Sequence, residues 1–506
     1  ATLVTRGLGD ESGDRLAASS ELRAIAAGKA SEAAGGERAE GVYAPLWEIL
    51  PDLGLEVSDL AAATVFTTGD VVVDLAELSD GVIARDGVTV DDLAVDSDGA
   101  SHARFCELVA TVSMPQYQAG TPPFRSQGLF ETGPDGLPVV QRYEATKVVL
   151  TLPRTPMPDA GFPMMIYFHG SGGIASQAVD RGYFDGSTQR AGEGPAFVVA
   201  EHGIGTVAQA LPLSPDRLPG ASAIEYLNFS NLAAFRDTFR QGVIESRLLL
   251  QAVAELEIDP SLVEACELEL PQGQTHFYFD TDKVVASGQS MGGMYTNLVT
   301  PLEPMIRAAV PTGAGGHWNR MIISTQVIPN ARDLVAVLIR TDPETISFVH
   351  PGLNLLSLGW EAAEPFVFMP RLGQRPLEGQ PAKPVYQPVG QDDEYFDAEI
   401  YDAAALAYGN QQAGDQVWPG TSRSLALLGL DQPASYPVSE NRQTESGEPY
   451  TAVVVQYPND GIMTGHYIFA QLDEVKFQYA CFFASFLGSG KAVVPEPAVL
   501  GSKCPL

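Results

Sequence analysis

From about residue 101 onward, short apolar runs alternate with longer stretches of helical period. The runs are Phe105 to Pro115, Thr146 to Pro153, Met164 to Phe168, Ala196 to Ala200, Val284 to Ala286, Ala308 to Val310, Val385 to Val389 and Ala452 to Val455. Short apolar runs without polar alternation suit strands buried on both faces. The first two flank a turn-rich loop (Gly120-Thr121-Pro122-Pro123, Gly133-Pro134-Asp135-Gly136) and read as antiparallel strands leading into the sheet. Leu232 to Leu256, Tyr295 to Val299 and Val475 to Leu487 read as helices. The interleaving predicts an α/β architecture, a mostly parallel sheet with helices on both faces.

Two segments break this rhythm. In residues 1–100, Thr2 to Leu8 and Ala63 to Thr68 are β-branched runs. They enclose an Ala- and Glu-rich stretch (Ser20 to Ala34) and an amphipathic one (Tyr43 to Leu50), with Gly35-Gly36 as a break. A small β-rich module with an inserted helix or loop is expected there, without catalytic groups. Residues 318–382 are rich in Pro, Leu, Phe and Trp, as in Phe348-Val349-His350-Pro351 and Phe366-Val367-Phe368-Met369. This stretch predicts an apolar helical cap or lid inserted over the carboxyl edge of the sheet of a catalytic domain spanning 101–506.

Length and charge narrow the classes. A chain of 506 residues exceeds one small core. No apolar run approaches the roughly 18 residues that cross a bilayer. A net charge of −33 repels phosphate backbones and anionic headgroups, so nucleic acid is excluded as a partner. That charge reads as a solubility device of a secreted or salt-exposed protein. No D-x-[DN]-x-[DN]-G calcium loop occurs, and Asp91-Asp92 and Asp96-Ser97-Asp98-Gly99 read as turns. Ala1 to Arg6 is not a basic-then-apolar leader, so a leader is expected either to have been removed or to lie outside this sequence. Cys106, Cys266, Cys481 and Cys504 contain no C-x-x-C pair. In an exported chain they fit two disulfides, Cys481 with Cys504 pinning the tail and Cys106 with Cys266.

The chemistry concentrates at Gly288-Gln289-Ser290-Met291-Gly292. An apolar strand (Lys283 to Ser287) runs in and a helix start (Gly293 to Leu298) runs out. G-x-S-x-G between such elements is the nucleophile elbow of the α/β-hydrolase fold. The small flanking residues let strand and helix approach while the hydroxyl projects at the carboxyl edge. Ser290 is the expected nucleophile. It needs a base, and the base an orienting carboxylate, in the chain order Ser, Asp or Glu, His. Of seven histidines only His350 and His466 lie well beyond Ser290. Only His466 follows a late strand and precedes the final helix, so it is the expected base. Gly390-Gln391-Asp392-Asp393 follows the strand Val385 to Val389. A glycine turn with a carboxylate three residues on makes Asp393 the expected acid, ahead of Asp392 and then Asp397. His169-Gly170-Ser171-Gly172-Gly173 follows the strand Met164 to Phe168. It suits an oxyanion loop, with the Ser171 amide (or that of Gly172) and the Met291 amide as donors and His169 structural. No phosphate loop, no H-E-x-x-H and no histidine pair at ligand spacing occurs, so neither cofactor nor metal is expected.

With these residues the chain resembles serine hydrolases of the α/β-hydrolase superfamily. It resembles exported bacterial esterases and lipases with an Ig-like amino-terminal module, including virulence-factor-type and surface lipases. The likeness rests on Phe162 to Gly173, on Asn228 to Gly242 and on the elbow, and it covers 101–506. Over 1–100 it is looser, through Thr5 to Asp10 and Ala61 to Thr68. The Asn and Arg side chains of Asn228 to Gln241 are expected to tie a loop to the following helix. The resemblance implies a secreted or cell-surface, cofactor-free carboxylic ester hydrolase, monomeric by default. The apolar cap, rich in Leu, Phe and Trp, suggests hydrophobic esters as substrates, whether lipid, aromatic or polyester. Two readings stay open beside it: a peptidase or amidase on the same residues, and a non-catalytic surface-binding protein with a vestigial hydrolase domain.

Overall fold

The computed structural model describes residues 1–505. The chain divides into two compact units, Ala1–Asp70 and Val71–Leu506. The expected Ig-like module takes a different form. Thr2–Thr5 pairs antiparallel with Leu60–Thr64, and the intervening chain forms helices Ser20–Ala26 and Gly36–Ile49. Two β-branched runs suffice for a ribbon but not for a second sheet, and the Ala- and Glu-rich sequence between them favours helix. Ser19 caps the first helix by accepting from the Leu22 amide at 3.2 Å. Leu22, Leu46, Leu50 and Leu60 form the small core of this unit.

The second unit is built on a ten-stranded sheet. Its strands are β1 (Val90–Val95), β2 (Phe105–Gln116), β3 (Arg142–Pro153), β4 (Phe162–Phe168), β5 (Gly205–Gln209), β6 (Phe279–Gln289), β7 (Ile306–Thr312), β8 (Val385–Gly390), β9 (Gln411–Ala413) and β10 (Ala452–Tyr457). Across the sheet they run β9-β10-β8-β7-β6-β4-β5-β3-β2-β1. Pairing is antiparallel from β1 through β3 to β5 and parallel everywhere beyond. This is a large, mostly parallel mixed sheet.

The main helices are α1 (Val71–Arg85), α2 (Pro195–Ala200), α3 (Leu232–Ala254), α4 (Met291–Val299), α5 (Trp318–Ser324), α6 (Ala331–Ile339), α7 (Pro351–Trp360), α8 (Pro365–Phe368), α9 (Ala398–Tyr408) and α10 (Asp473–Ser489). The two-residue alternation of strand side chains divides them between two cores. Ile166, Val207, Ala286 and Val454 face the side that holds α1, α3 and α4. Tyr167, Ala208, Val285 and Val453 face α2 and α10.

The run Ala196 to Ala200, expected as a strand, is helix α2, and the strand is Gly205–Gln209. Five apolar residues in a row look alike in a buried strand and a buried helix. Gly194 and Pro195, at the N-cap and first helical position, tip the balance. Val71–Arg85, in a region expected to be β-rich, is helical, with Val72, Leu75, Ser79 and Val82 on its buried stripe.

Both expected disulfides are present. Cys106 on β2 joins Cys266 with Cα atoms 5.7 Å apart, and Cys481 on α10 joins Cys504 at 5.3 Å. Asn228 and Asn231 donate to the carbonyls of Pro123 and Phe124 at 2.9 and 2.8 Å, tying that loop to α3. No described helix is long and apolar enough to cross a membrane.

Between β7 and β8 lies the helical excursion α5 to α8. Trp318 and Trp360 pack on Phe235 of α3, with ring centroids 4.8 and 4.9 Å apart. Their indole N–H groups donate to the carbonyls of Ala363 and Leu232 at 2.9 and 2.8 Å. Buried indoles need such acceptors; the Trp318 bond closes the excursion on itself, and the Trp360 bond ties it to α3.

Candidate active site

Strand register brings the loops together. Phe168 lies opposite Gly288, Gln289 opposite Thr312, and Gly390 opposite Tyr457. The chain therefore leaves β4, β6, β7, β8 and β10 at one carboxyl edge. His169, Ser290, Gly313, Gln391 and Pro458 are the first residues beyond it.

Ser290 sits between β6 and α4 with φ 62° and ψ −123°, a backbone state costly for a residue with a Cβ. The Ser290 amide donates to Thr312 O at 3.0 Å, and the Met294 amide donates back to Ser290 O at 3.1 Å, holding the turn from both sides. Its neighbours must be glycine for lack of room. A Cβ on Gly292 would fall inside the van der Waals shell of the Phe168 carbonyl, and one on Gly288 inside that of the Gly292 carbonyl. Gly292→Ala is expected to destabilise the protein by more than about 4 kcal/mol, because rigid backbone cannot give way. Soluble yield and the thermal midpoint measure this, and an unchanged midpoint would show that β4 and α4 can separate.

His466 lies in a short turn between β10 and α10. Its Nδ1–H donates to Asp393 Oδ2 at 2.7 Å, which leaves Nε2 as the acceptor nitrogen. Gln289, one residue before Ser290, donates from Nε2 to the His466 carbonyl at 3.2 Å. Tyr395 stacks on the imidazole with centroids 4.1 Å apart. The approach of the two loops again needs glycine: a Cβ on Gly390 would overlap the Gly465 backbone, and one on Gly465 the Gln391 carbonyl.

Asp393 is held through both oxygens. Oδ1 accepts from the Tyr395 and Phe396 amides at 2.7 and 3.0 Å. Oδ2 accepts from His466 and from the Tyr401 hydroxyl. Burial and the neighbouring carboxylate push the Tyr401 hydroxyl well up from its ordinary value, so it stays a donor. Ser290, His466 and Asp393 are 4, 2 and 7% exposed, so the cluster lies in a low dielectric where charge interactions are strong. Asp392 has φ 59° and faces outward, its Oδ2 3.3 Å from Asn459 Nδ2. Asp397 caps α9 through the Ile400 amide at 3.0 Å and pairs with Arg320 at 2.7 Å.

The loop after β4 lies beside the elbow: the Cβ position of Gly170 is 3.4 Å from Ser290 Cβ. His169 is spoken for at both nitrogens. Nδ1–H donates to Gly170 O at 2.8 Å, and Nε2 accepts from the Leu211 amide at 3.0 Å. Burial lowers its pKa to about 4, so the ring is a neutral brace. The Gly170 amide is used by Gln177 Oε1 at 2.7 Å. Ser171 follows it at the turn, and the Met291 amide heads α4, where a helix leaves its first N–H groups without intrahelical partners.

Tyr401, Tyr395 and Gln177 escape sequence reasoning, because each matters only through a partner that the fold brings to it. The one signal for Tyr401 is its place one turn into the helix that follows the acid loop. A cavity of about 350 Å³ beyond Gly316 is lined by His317, Leu358, Phe366 and Val367, and neither Ser290 nor His466 borders it.

No protein-family model matches the chain, and no curated protein matches it. Solved structures with a related fold include an acetyl xylan esterase from Paenibacillus sp. R4, with 13% identity and a TM-score of 0.41 over 79% of this chain and 92% of that one. Acetyl xylan esterase 1 from Thermoanaerobacterium sp. JW/SL YS485 has 14% identity and a TM-score of 0.37 over 76% and 88%. An esterase from Pyrobaculum calidifontis has 14% identity and a TM-score of 0.32 over 88% and 98%. Likeness of this degree decides nothing about chemistry, which the chain's own side chains must carry.

Proposed function

We propose that this protein is a carboxylic ester hydrolase working through an acyl-enzyme on Ser290. The observation that carries the reading is the buried His466–Asp393 pair on the loop edge where Ser290 occupies a positive-φ strand-to-helix turn. In the reaction, Ser290 Oγ attacks the ester carbonyl and its proton passes to His466 Nε2. Asp393 holds the ring through Nδ1–H and stabilises the imidazolium. The amides of Ser171 and Met291 donate to the oxyanion. Collapse of the tetrahedral intermediate breaks the ester C–O bond, and His466 returns the proton to the leaving alcohol. Water, deprotonated by the same nitrogen, then releases the acid and restores Ser290.

Hydrophobic acyl or aromatic esters are the substrate class we favour. Val337, Leu355 and Leu358 of the excursion are more than two-thirds exposed, and Leu338, Phe348 and Val349 are exposed beside them in sequence. Solvent-facing apolar groups of this density suit an apolar substrate. Two disulfides fit an oxidising compartment, in keeping with export.

A fluorophosphonate probe tests the assignment directly. Stoichiometric labelling, mapped to the peptide containing Ser290 and accompanied by loss of p-nitrophenyl ester hydrolysis, is expected. Labelling elsewhere, or turnover that survives complete labelling, would sink it. The amidase alternative is separated by comparing an ester with its isosteric amide, where the ester is expected to be preferred.

A further inference from the structure

The turn between β1 and β2 gathers ionisable groups, none of which belongs to the Ser290 site. The donor atoms of Asp98, His102 and Glu107 lie within 4.8 Å of one another. His102 Nε2 is 2.9 Å from Glu107 Oε2, and Glu107 is only 5% exposed although it lies in a strand. The Asp96 carboxyl is within hydrogen-bonding reach of the Asp98 carboxyl, and the charge of Asp180 bears on Glu107. Arg154 is committed to the carbonyls of Ala100, His102 and Cys266, and the charge of Lys147 acts on Asp96.

The turn is also held in place before any ligand arrives. The Asp96 amide donates to Glu107 O at 3.1 Å, the Glu107 amide to Gly99 O at 3.1 Å, and the Ser101 amide to Asp98 O at 2.8 Å. His102 stacks on Phe105 with centroids 4.5 Å apart, and Cys106 next to it is disulfide-bonded. Rigid support of this kind lets side chains of one sign stay close without the loop splaying.

We propose that Asp98, His102 and Glu107 form a binding site for a divalent transition-metal cation of the Zn²⁺ class, with Asp96 supporting Asp98. Imidazole with two carboxylates suits Zn²⁺ or Mn²⁺, whereas Ca²⁺ takes six to eight oxygen ligands. Bonds of roughly 2.0–2.2 Å in a tetrahedral site place ligand atoms about 3.4 Å apart, so the present spread closes with little more than an ångström of side-chain rotation. The metal inserts between His102 Nε2 and Glu107 Oε2 in place of the hydrogen bond that joins them. The metal would brace the turn and takes no part in the chemistry at Ser290.

Calorimetric titration of the full-length, EDTA-stripped protein with ZnCl₂, paired with thermal melts in ZnCl₂ and CaCl₂, tests this. Saturable binding of a single Zn²⁺ and a raised melting temperature are expected, with a smaller effect of Ca²⁺. His102→Gln is expected to weaken Zn²⁺ binding at least ten-fold, as loss of a donor should. Asp98→Asn, on an exposed side chain, is expected to weaken it as well and guards against misfolding of the first variant. His276→Gln removes a surface histidine paired with Glu257 and is expected to change nothing. Absence of saturable Zn²⁺ binding, or affinity unchanged in both His102→Gln and Asp98→Asn, would overturn the proposal.

Discussion

Ser290→Ala is expected to lower kcat for ester hydrolysis by about a million-fold, and His466→Ala by a similar factor. Because the proton transfer and the attack are one event, the double variant should lose no more than either single one. The measurement is kcat on a p-nitrophenyl ester beside the thermal midpoint. The midpoint should hardly move for Ser290→Ala, since the substitution keeps the Cβ and the amide bond to Thr312. Losses that multiply in the double variant would mean that the two side chains act independently.

Asp393→Asn should cost about ten-thousand-fold in kcat, whereas Asp392→Asn should stay within a few-fold of wild type. The asymmetry follows from what surrounds each carboxyl. The Tyr395 and Phe396 amides require an acceptor at Oδ1, so an asparagine there must turn its NH₂ toward His466 and Tyr401. Both of those groups are donors. The imidazole can relieve the conflict only by moving its proton to Nε2, the tautomer that cannot accept from Ser290. Asp392 has no such demand on it, facing Asn459 at the surface. Equal losses in the two variants would mean that the imidazole is oriented by something other than Asp393.

The elements most legible in the sequence are those whose burial is written into their composition. The apolar runs of β4, β6, β7, β8 and β10 can be satisfied only inside a sheet covered on both faces, and they form one. The small residues around Ser290 had the same transparency, since backbone crowding leaves no room for a side chain. Legibility failed where one pattern serves two structures. Ala196 to Ala200 reads equally as strand or helix, and the Pro195 start decided it. In the first unit, β-branched ends around Ala- and Glu-rich sequence suggested a sandwich, yet the chain had strands for only one ribbon.

The alternation of apolar runs and helical periods and the crowding at the elbow follow from local sequence, because each depends on the size or polarity of neighbouring residues. Only the folded chain decided that Asp393 rather than Asp392 meets His466, that Tyr401 donates to the same carboxyl, and that Asp98 and Glu107 meet at His102. Those meetings depend on strand register and on close approach between loops, such as that of Gly390 to Gly465. Neither is encoded in the spacing of the residues that meet, since distance along the chain places no limit on which loops share an edge of the sheet.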